Sequence, residues 1–322
     1  MADILSIKSQ DGKYLFPETL VTDLINKVQG KSSLAMLSQQ KPMPFNGLKE
    51  FTFTLDKDID IVAENAPKGV GGITIEPVVT RPLKVEYGAR ISDEFMYASE
   101  EARVEILRSF NEGFARKLSR GFDLMGMHGI NPRTGTASEV IGTNHFDAKV
   151  DQTVTMEDDP EAAIEGAVSL VRGANGVITG MAMAPTLSGK LAGLKVNGVK
   201  QYPELAWGAN PGSINGLKVD VNSTVSEVGP DDVAILGDFE TMFRWGYAKQ
   251  AFFELIRYGD PDNTGKDLRG HNQIYLRAEA YIGWGILEPK SFARITAAVE
   301  TDEVSETIET GETVETGEMN EI

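Results

Sequence analysis

The 322-residue chain contains no cysteine. Disulfides, thiolate nucleophiles and cysteine metal sites are thereby excluded, and any covalent crosslink must use another chemistry. Histidine is nearly as scarce: His128, His145 and His271 are the full set. No two stand at HExxH spacing, which argues against a histidine metal site or a conventional triad, so each reads as a loop or surface residue. Apolar runs are short. None approaches a membrane span, and residues 1–11 lack a signal-peptide core, which is read as synthesis and retention in a cytoplasm. Positive charge is in deficit too, with 31 Lys and Arg against 48 Asp and Glu and a net charge of −17. Such a balance disfavours tight, sequence-neutral binding to nucleic acid. The excess is uneven, since residues 300–322 hold nine carboxylates and neither Lys nor Arg.

What is present is organised around one stretch. Residues 92–127 read as a single helix: Ser92 is the N-cap, Asp93 and Glu94 follow at the positive end of the dipole, and an apolar stripe runs through Phe95, Ile106, Leu107, Phe110, Phe114, Leu118, Phe122 and Met125. Glu101, Arg103, Glu105, Arg108, Glu112, Arg116 and Lys117 charge the rest. Such a helix would be about 50 Å long, more than a compact domain of this size uses, so it braces something extended. Length and a 41% hydrophobic content predict roughly two domains with real cores.

Ahead of the helix, residues 1–41 form an arm with one short helix, opened by Pro17, striped by Leu20, Val21, Leu24, Ile25 and Val28, and ended by Gly30. Then Phe51, Phe53 and Leu55 alternate with Thr52, Thr54 and Asp56. After turn-rich residues 63–72 come Ile73, Ile75, Val78, Val79, Leu83, Val85 and Tyr87, which predicts one long two-stranded hairpin over residues 51–85. A lone hairpin is marginal in water, so one this apolar rests on something outside itself. Beyond a loop at 128–143, a second domain mixes helices at 160–173 and 185–194 with short strands at 177–184, 217–221 and 233–236. Residues 195–216 read as a loop anchored by Tyr202 and Trp207. Runs at 252–258 and 273–281 pair as a hairpin that returns to the first domain, giving an α+β class. In the tail, ETIETGE and ETVETGE nearly repeat, too poor in apolar residues to order themselves.

Motifs for chemistry mostly fail. Asp56, Asp58 and Asp60 imitate the start of a calcium loop, but Ile61 stands in place of its glycine and Pro67 in place of its closing Glu. A closer match sets Asp260, Asp262, Thr264 and Gly265 at loop positions one, three, five and six, with His271 at twelve; the plainer reading is an Asp/Gly turn. Gly259 to Lys266 has the wrong spacing for a phosphate loop, and Asp267 replaces its Ser or Thr. Asn222-Ser223-Thr224 fits a glycosylation pattern by chance. The acid pairs Asp158/Asp159 and Asp231/Asp232 read as caps and turns, so neither enzyme activity nor a cofactor or metal is expected.

The order of these parts resembles the major capsid proteins of tailed bacteriophages with the Hong Kong 97 fold. IVAENAPKGVGGITIEPVVTRPLKVEYGARISDEFM (61–96) looks like that family's extended loop running into its spine helix. HGINPRTG (128–135), GDFETMFRWGY (237–247) and IYLRAEAYIGWGILEPKSFARI (274–295) follow in the family's order. The resemblance implies an N-terminal arm (1–45), an extended hairpin loop (46–90), a spine helix with the first part of a peripheral domain (91–149), an axial domain (150–245), peripheral return strands (246–299) and an acidic tail (300–322). It implies self-assembly through hexamers and pentamers into an icosahedral head shell, built in the bacterial host cytoplasm, that encloses double-stranded DNA without sequence-specific contacts. Portal and scaffold or decoration proteins are implied partners, and a membrane is not. Assembly residues are expected at Lys57, Glu64, Lys68 and Arg81 on the loop and at Phe110 and Phe114 on the spine.

Some members of that family join subunits by a lysine–asparagine isopeptide bond assisted by a glutamate. Lys57, Lys68, Asn263, Asn272 and Glu279 supply those residue types. The long propeptide has no counterpart ahead of the arm, which implies a separate scaffold or a processed form. An encapsulin shell of the same fold is the nearest alternative; an enzyme using the second-domain carboxylates and a monomeric binding module are those of other classes.

Overall fold

The computed structural model describes residues 31–227 and 232–298; the helix expected within residues 17–28 and the acidic tail lie outside them. Along the chain come α1 (Ser33–Leu37), β1 (Leu48–Leu55), β2 (Ile73–Thr80), β3 (Leu83–Ser92), α2 (Glu100–His128), β4 (Ile130–Asn131), β5 (Thr136–Ala137), α3 (Phe146–Lys149), β6 (Thr153–Met156) and α4 (Pro160–Gly173). Then follow β7 (Gly180–Met183), α5 (Pro185–Gly193), β8 (Lys195–Val196), β9 (Val199–Lys200), β10 (Ser213–Ile214), β11 (Leu217–Val221), β12 (Asp232–Gly237), β13 (Phe243–Ile256), β14 (Gln273–Ile286) and β15 (Phe292–Ala297).

The long helix starts later than its sequence suggests. Ser92 caps only a short 3-10 turn, Asp93–Tyr97; Ala98 leaves the helical conformation, and Ser99 caps α2 by accepting from the Ala102 N–H. The two caps are seven residues apart, two helical turns, so the apolar stripe stays in phase across the break and hides it. With 29 residues α2 is about 43 Å long and stops where Gly129 turns left-handed at φ 67°. A second correction concerns the hairpin. β1 pairs with β2 alone, Pro82 lacks an N–H to carry the pairing on, and β3 joins β14 in a separate antiparallel sheet of order β13-β14-β3.

One face of that sheet lies under α2. Ile274, Leu276, Ala278, Ala280, Ile282 and Trp284 alternate along β14 and are all buried against Leu107, Phe114, Leu118 and Phe122 of the helix. Phe122 meets the rings of Trp245 and Trp284 at 5.1 and 5.7 Å. Opposite, Met181, Met183, Ala234, Leu236, Ala293 and Ile295 pack with α4 and α5 in a second core. Their strands belong to a six-stranded sheet of order β10-β11-β7-β12-β15-β6. Ala182, Ile235 and Phe292 point from the same strands into the first core, and burial on both faces explains their uninterrupted apolar text. Of the return strands expected within residues 246–299, β15 goes elsewhere: it pairs with β12 and β6 and completes the sheet of the second core.

The described part of the arm lies inside its own subunit. Leu34 and Leu37 are fully buried in the first core. Further on, Lys41 donates its N–H to the Trp245 carbonyl at 2.9 Å, and the chain crosses the sheet over Gly246 and Gly283, opposed in register, where an added Cβ would collide with Lys41 and Met43.

Two buried polar contacts tie the halves together, both from the end of α2 and both to Thr224. The Asp123 carboxylate accepts from Ser32 Oγ at 2.5 Å, Ser33 N at 2.9 Å, Leu34 N at 3.1 Å, Thr224 Oγ1 at 3.1 Å and Asn222 Nδ2 at 3.2 Å. It sits at the N-terminus of α1, where orphan N–H groups favour an anion. Burial pushes its carboxyl up to about 6 in spite of these donors. His128 lies at 2.9 Å from the Thr224 carbonyl through Nε2 and at 2.8 Å from Asp147 through Nδ1. Two acceptors require two N–H donors, hence an imidazolium. Burial opposes that charge, but Asp147 and the carbonyl outweigh it and hold the pKa above its ordinary value. Beside it Arg294 grips Asp232 with two bonds, 2.8 and 3.0 Å.

Phe122→Ala should cost about 3–5 kcal/mol through the cavity between the indoles, read by chemical denaturation. Because the folded pKa of His128 is raised, its contribution is complete below the unfolded value near 6.5 and is lost as pH rises through the folded one. Denaturant midpoints should therefore fall from pH 6 to pH 8.5, and fall less in His128→Gln.

Candidate assembly surface

The feature that the cores leave unexplained is a surface. In the register of β1 with β2, Lys49 faces Val79, Phe51 faces Pro77, Phe53 faces Ile75 and Leu55 faces Ile73. Directly opposed residues share a face, so alternation collects Phe51, Phe53, Leu55, Ile73, Ile75, Pro77 and Val79 on one side and gives the other to Glu50, Thr52 and Thr74. The apolar side is bare within the subunit: Leu55 is 71% exposed, Phe53 67% and Ile73 64%. Residues 56–72 beyond it take no regular structure, with Ile59 and Ile61 almost fully exposed. A contiguous patch of this kind marks an interaction site, unlike apolar residues scattered singly.

The sequence-named residues divide in two. Lys57, Glu64, Lys68 and Arg81 are exposed, and Lys57 Nζ donates to the Val70 carbonyl at 3.1 Å across the base of the loop. Phe114 is buried and Phe110 half-buried; both meet Phe253 edge-on, at 6.3 and 6.1 Å, so a change there acts on the subunit's own packing. Of the isopeptide residue types, Glu279 is buried and ion-paired with Lys84 at 2.7 Å and Arg277 at 3.2 Å. Asn263 and Asn272 occupy left-handed turn positions.

The calcium-like loop is real in geometry, and its cation is a side chain. Arg90 on β3 donates to Asp260 Oδ1 at 2.6 Å, to the Asp262 carboxylate, to Thr264 Oγ1 at 2.6 Å and to the Lys266 carbonyl at 2.9 Å. These are the oxygens of loop positions one, three, five and seven, the last from backbone as in a calcium loop. The guanidinium holds the Asp262 carboxyl well below the usual range. His271, at position twelve, turns away to the Asp267 carbonyl at 2.8 Å.

His128 contradicts the expectation of a surface histidine, since it is buried beside Asp147 and Asp232 at metal-binding distance. Both its ring nitrogens already face acceptors and Arg294 claims Asp232, so the cluster satisfies its charges internally. Asp232 is accordingly an ion-pair partner instead of a turn residue, whereas Asp159 does cap α4. The Asn222 amide is fully engaged, with Asp123, the Lys31 carbonyl and the Thr224 N–H. Tyr202 anchors its loop by donating to Glu161 at 2.6 Å; Trp207 anchors nothing and is fully exposed. Pattern alone offered no sign of the Asp123 and Arg294 contacts, which join residues about 90 or more positions, and 62 positions, apart.

Among the described residues no helix is long and apolar enough to cross a membrane. Comparison with curated proteins gives no match. A sequence model of the phage capsid family matches residues 12–297. A solved structure from Mycobacterium phage Ogopogo is 32% identical, covering 83% of this chain and 92% of its own, with a TM-score of 0.73. One from Gordonia phage Cozz, 23% identical over 84% and 87% of the two chains, has a TM-score of 0.71 and shares the fold. So does the capsid of an empty GTA particle, 13% identical over 83% and 90%, at 0.60. The chain belongs to the phage capsid family and is a major capsid protein of a phage head.

Proposed function

We propose that this capsid protein closes an icosahedral shell of hexamers and pentamers by laying the apolar face of the β1–β2 hairpin over a neighbouring subunit, in the Hong Kong 97 arrangement. The observation that carries the reading is the bare row of Phe51, Phe53, Leu55, Ile73 and Ile75, on a hairpin whose other face carries Glu50, Thr52 and Thr74 and is half-buried at Leu48 and Val78. Full burial of each such side chain contributes about 1.5–3 kcal/mol, so a few of them on a partner outweigh the cost of ordering a hairpin. In this reading α2 is the spine helix and forms the peripheral domain with the β13-β14-β3 sheet. The six-stranded sheet with α4 and α5 is the axial domain, entered at β6, left after β12 and re-entered at β15. Residues 1–45 are the arm, and 300–322 an acidic tail.

Net acidity suits a container filled with double-stranded DNA, since a wall gripping each phosphate would oppose packing. Portal and scaffold or decoration proteins complete the assembly, which takes place in the cytoplasm of the host. The carboxylates that an enzyme would draw on are occupied: Asp159 caps a helix and Asp232 is held by Arg294.

Negative-stain electron microscopy and sedimentation of the protein should find closed shells or free rings of five and six. Phe53→Thr with Ile75→Thr should leave subunit stability within about 1 kcal/mol of the wild type, because both sites are exposed and a Thr–Thr cross-strand pair keeps the register, while abolishing particles. Normal shells from that double variant would remove the hairpin from the assembly contact.

A further inference from the structure

At its base the hairpin meets its own subunit through one face. In the β1–β2 register Leu48 opposes Thr80 and Glu50 opposes Val78, and all four lie on the side away from Phe51 and Phe53. In the β13–β14 register Arg244 opposes Gly285. These two sets of opposed residues come together. Arg244 Nε lies 3.5 Å from the Glu50 carboxylate, and a Cβ added at Gly285 would collide with the Thr80 hydroxyl and lie 3.8 Å from Val78 Cγ1. Gly285 is thus a bare stretch of backbone into which the foot of the hairpin fits. Thr80 is 1% exposed there, whereas Phe53 farther out is 67% exposed.

The ion pair at this foot is shielded. Arg244 Nε and Glu50 Oε2 are both closed to solvent and neither has a hydrogen-bond partner, so each charge rests on the other. Arg244 is itself held from the sheet side, where Nη1 donates to the Glu240 carbonyl at 3.1 Å. Removing one partner leaves the other shielded and uncompensated, a cost that is relieved when the foot lifts and water enters. The pair matters because hydrophobic burial is non-directional. A bare apolar face gains as much by rolling onto its own subunit as by reaching another, and a directional contact on the opposite face opposes that roll.

We infer that the Glu50–Arg244 ion pair, with Thr80 and Val78 seated on Gly285, sets the roll of the hairpin and so presents Phe51, Phe53 and Ile75 outward to a neighbouring copy of the chain. Glu50, Arg244 and Gly285 are positioning residues, acting through the apolar row. The inference rests on the reading of that row as the assembly contact.

With no cysteine in the chain, Thr74→Cys on the hairpin and Lys117→Cys on α2, both exposed sites, carry two unique spin labels. In the dissociated subunit their distance distribution should be narrow. Glu50→Lys, which sets two cations together, should widen it and lower the particle yield about tenfold or more, with the denaturation midpoint unchanged because the hairpin lies outside both cores. Adding Arg244→Glu restores opposite charges and should narrow the distribution and recover particles. Gly285→Ala, by displacing Thr80, should widen the distribution while both charges remain. A Glu50→Lys subunit with distances as narrow as the wild type, or one that assembles normally with widened distances, would overturn the positioning role. So would a midpoint that falls in step with the yield, or a double variant no better than Glu50→Lys alone. Normal shells from Phe53→Thr with Ile75→Thr, with the labels still at one distance, would instead overturn the hairpin reading on which the inference rests.

Discussion

Asp123 is the point on which three separate parts of the chain converge. Its carboxylate is buried and cannot be left without donors, and the donors come from the arm, through Ser32, Ser33 and Leu34, and from the second half, through Asn222 and Thr224. Five residues on along α2, His128 reaches the other side of Thr224. The end of the helix thereby fixes the angle between two sheets that hydrophobic burial alone would leave free to slide. Ser33 extends the tie by donating its hydroxyl to Asp220 at 2.5 Å, on β11 of the far sheet. Direction-dependent bonds do here what non-directional burial cannot.

Against that rigid body the β1–β2 hairpin is the opposite case. Its strands pair with each other, and the apolar residues of one face, from Phe51 to Leu55 and from Ile73 to Val79, find no cover in their own subunit. The apolar residues that hold the subunit together and those left exposed thus occupy different segments of chain. Changes at Phe114 and at Phe53 should therefore be separable by experiment, the first acting on the fold and the second on the shell.

Arg90 shows how a motif can keep its geometry while its chemistry changes. The loop between β13 and β14 converges four oxygens as a calcium loop does, yet the positive charge arrives on a neighbouring strand of the same sheet. An internal cation needs no ion from solution, and it ties the loop to β3. The buried His128, Asp147, Asp232 and Arg294 follow the same principle, with positive and negative groups of one chain satisfying each other.

Local pattern determined much of this protein. Period-two alternation marked the β1–β2 face, and two apolar runs flanking a turn marked the pairing of β13 with β14; the stripe of α2, the Asp159 cap and the apolar text of β7 and β12 were likewise legible, because each depends on neighbours in sequence. The order of those segments carried the family. Tertiary structure alone decided that the helix breaks at Ala98, since two caps in phase look like one helix, and that β3 leaves the hairpin for β14. It decided that β15 crosses to the second sheet and that the arm at Leu34 and Leu37 is core. It also decided which acids are paired: Asp123, Asp232 and Asp260 read alike as text, and only the arrival of Thr224, Arg294 and Arg90 from distant segments distinguishes them. Periodicity is a property of neighbouring residues, whereas the partner of a buried charge is chosen by the fold.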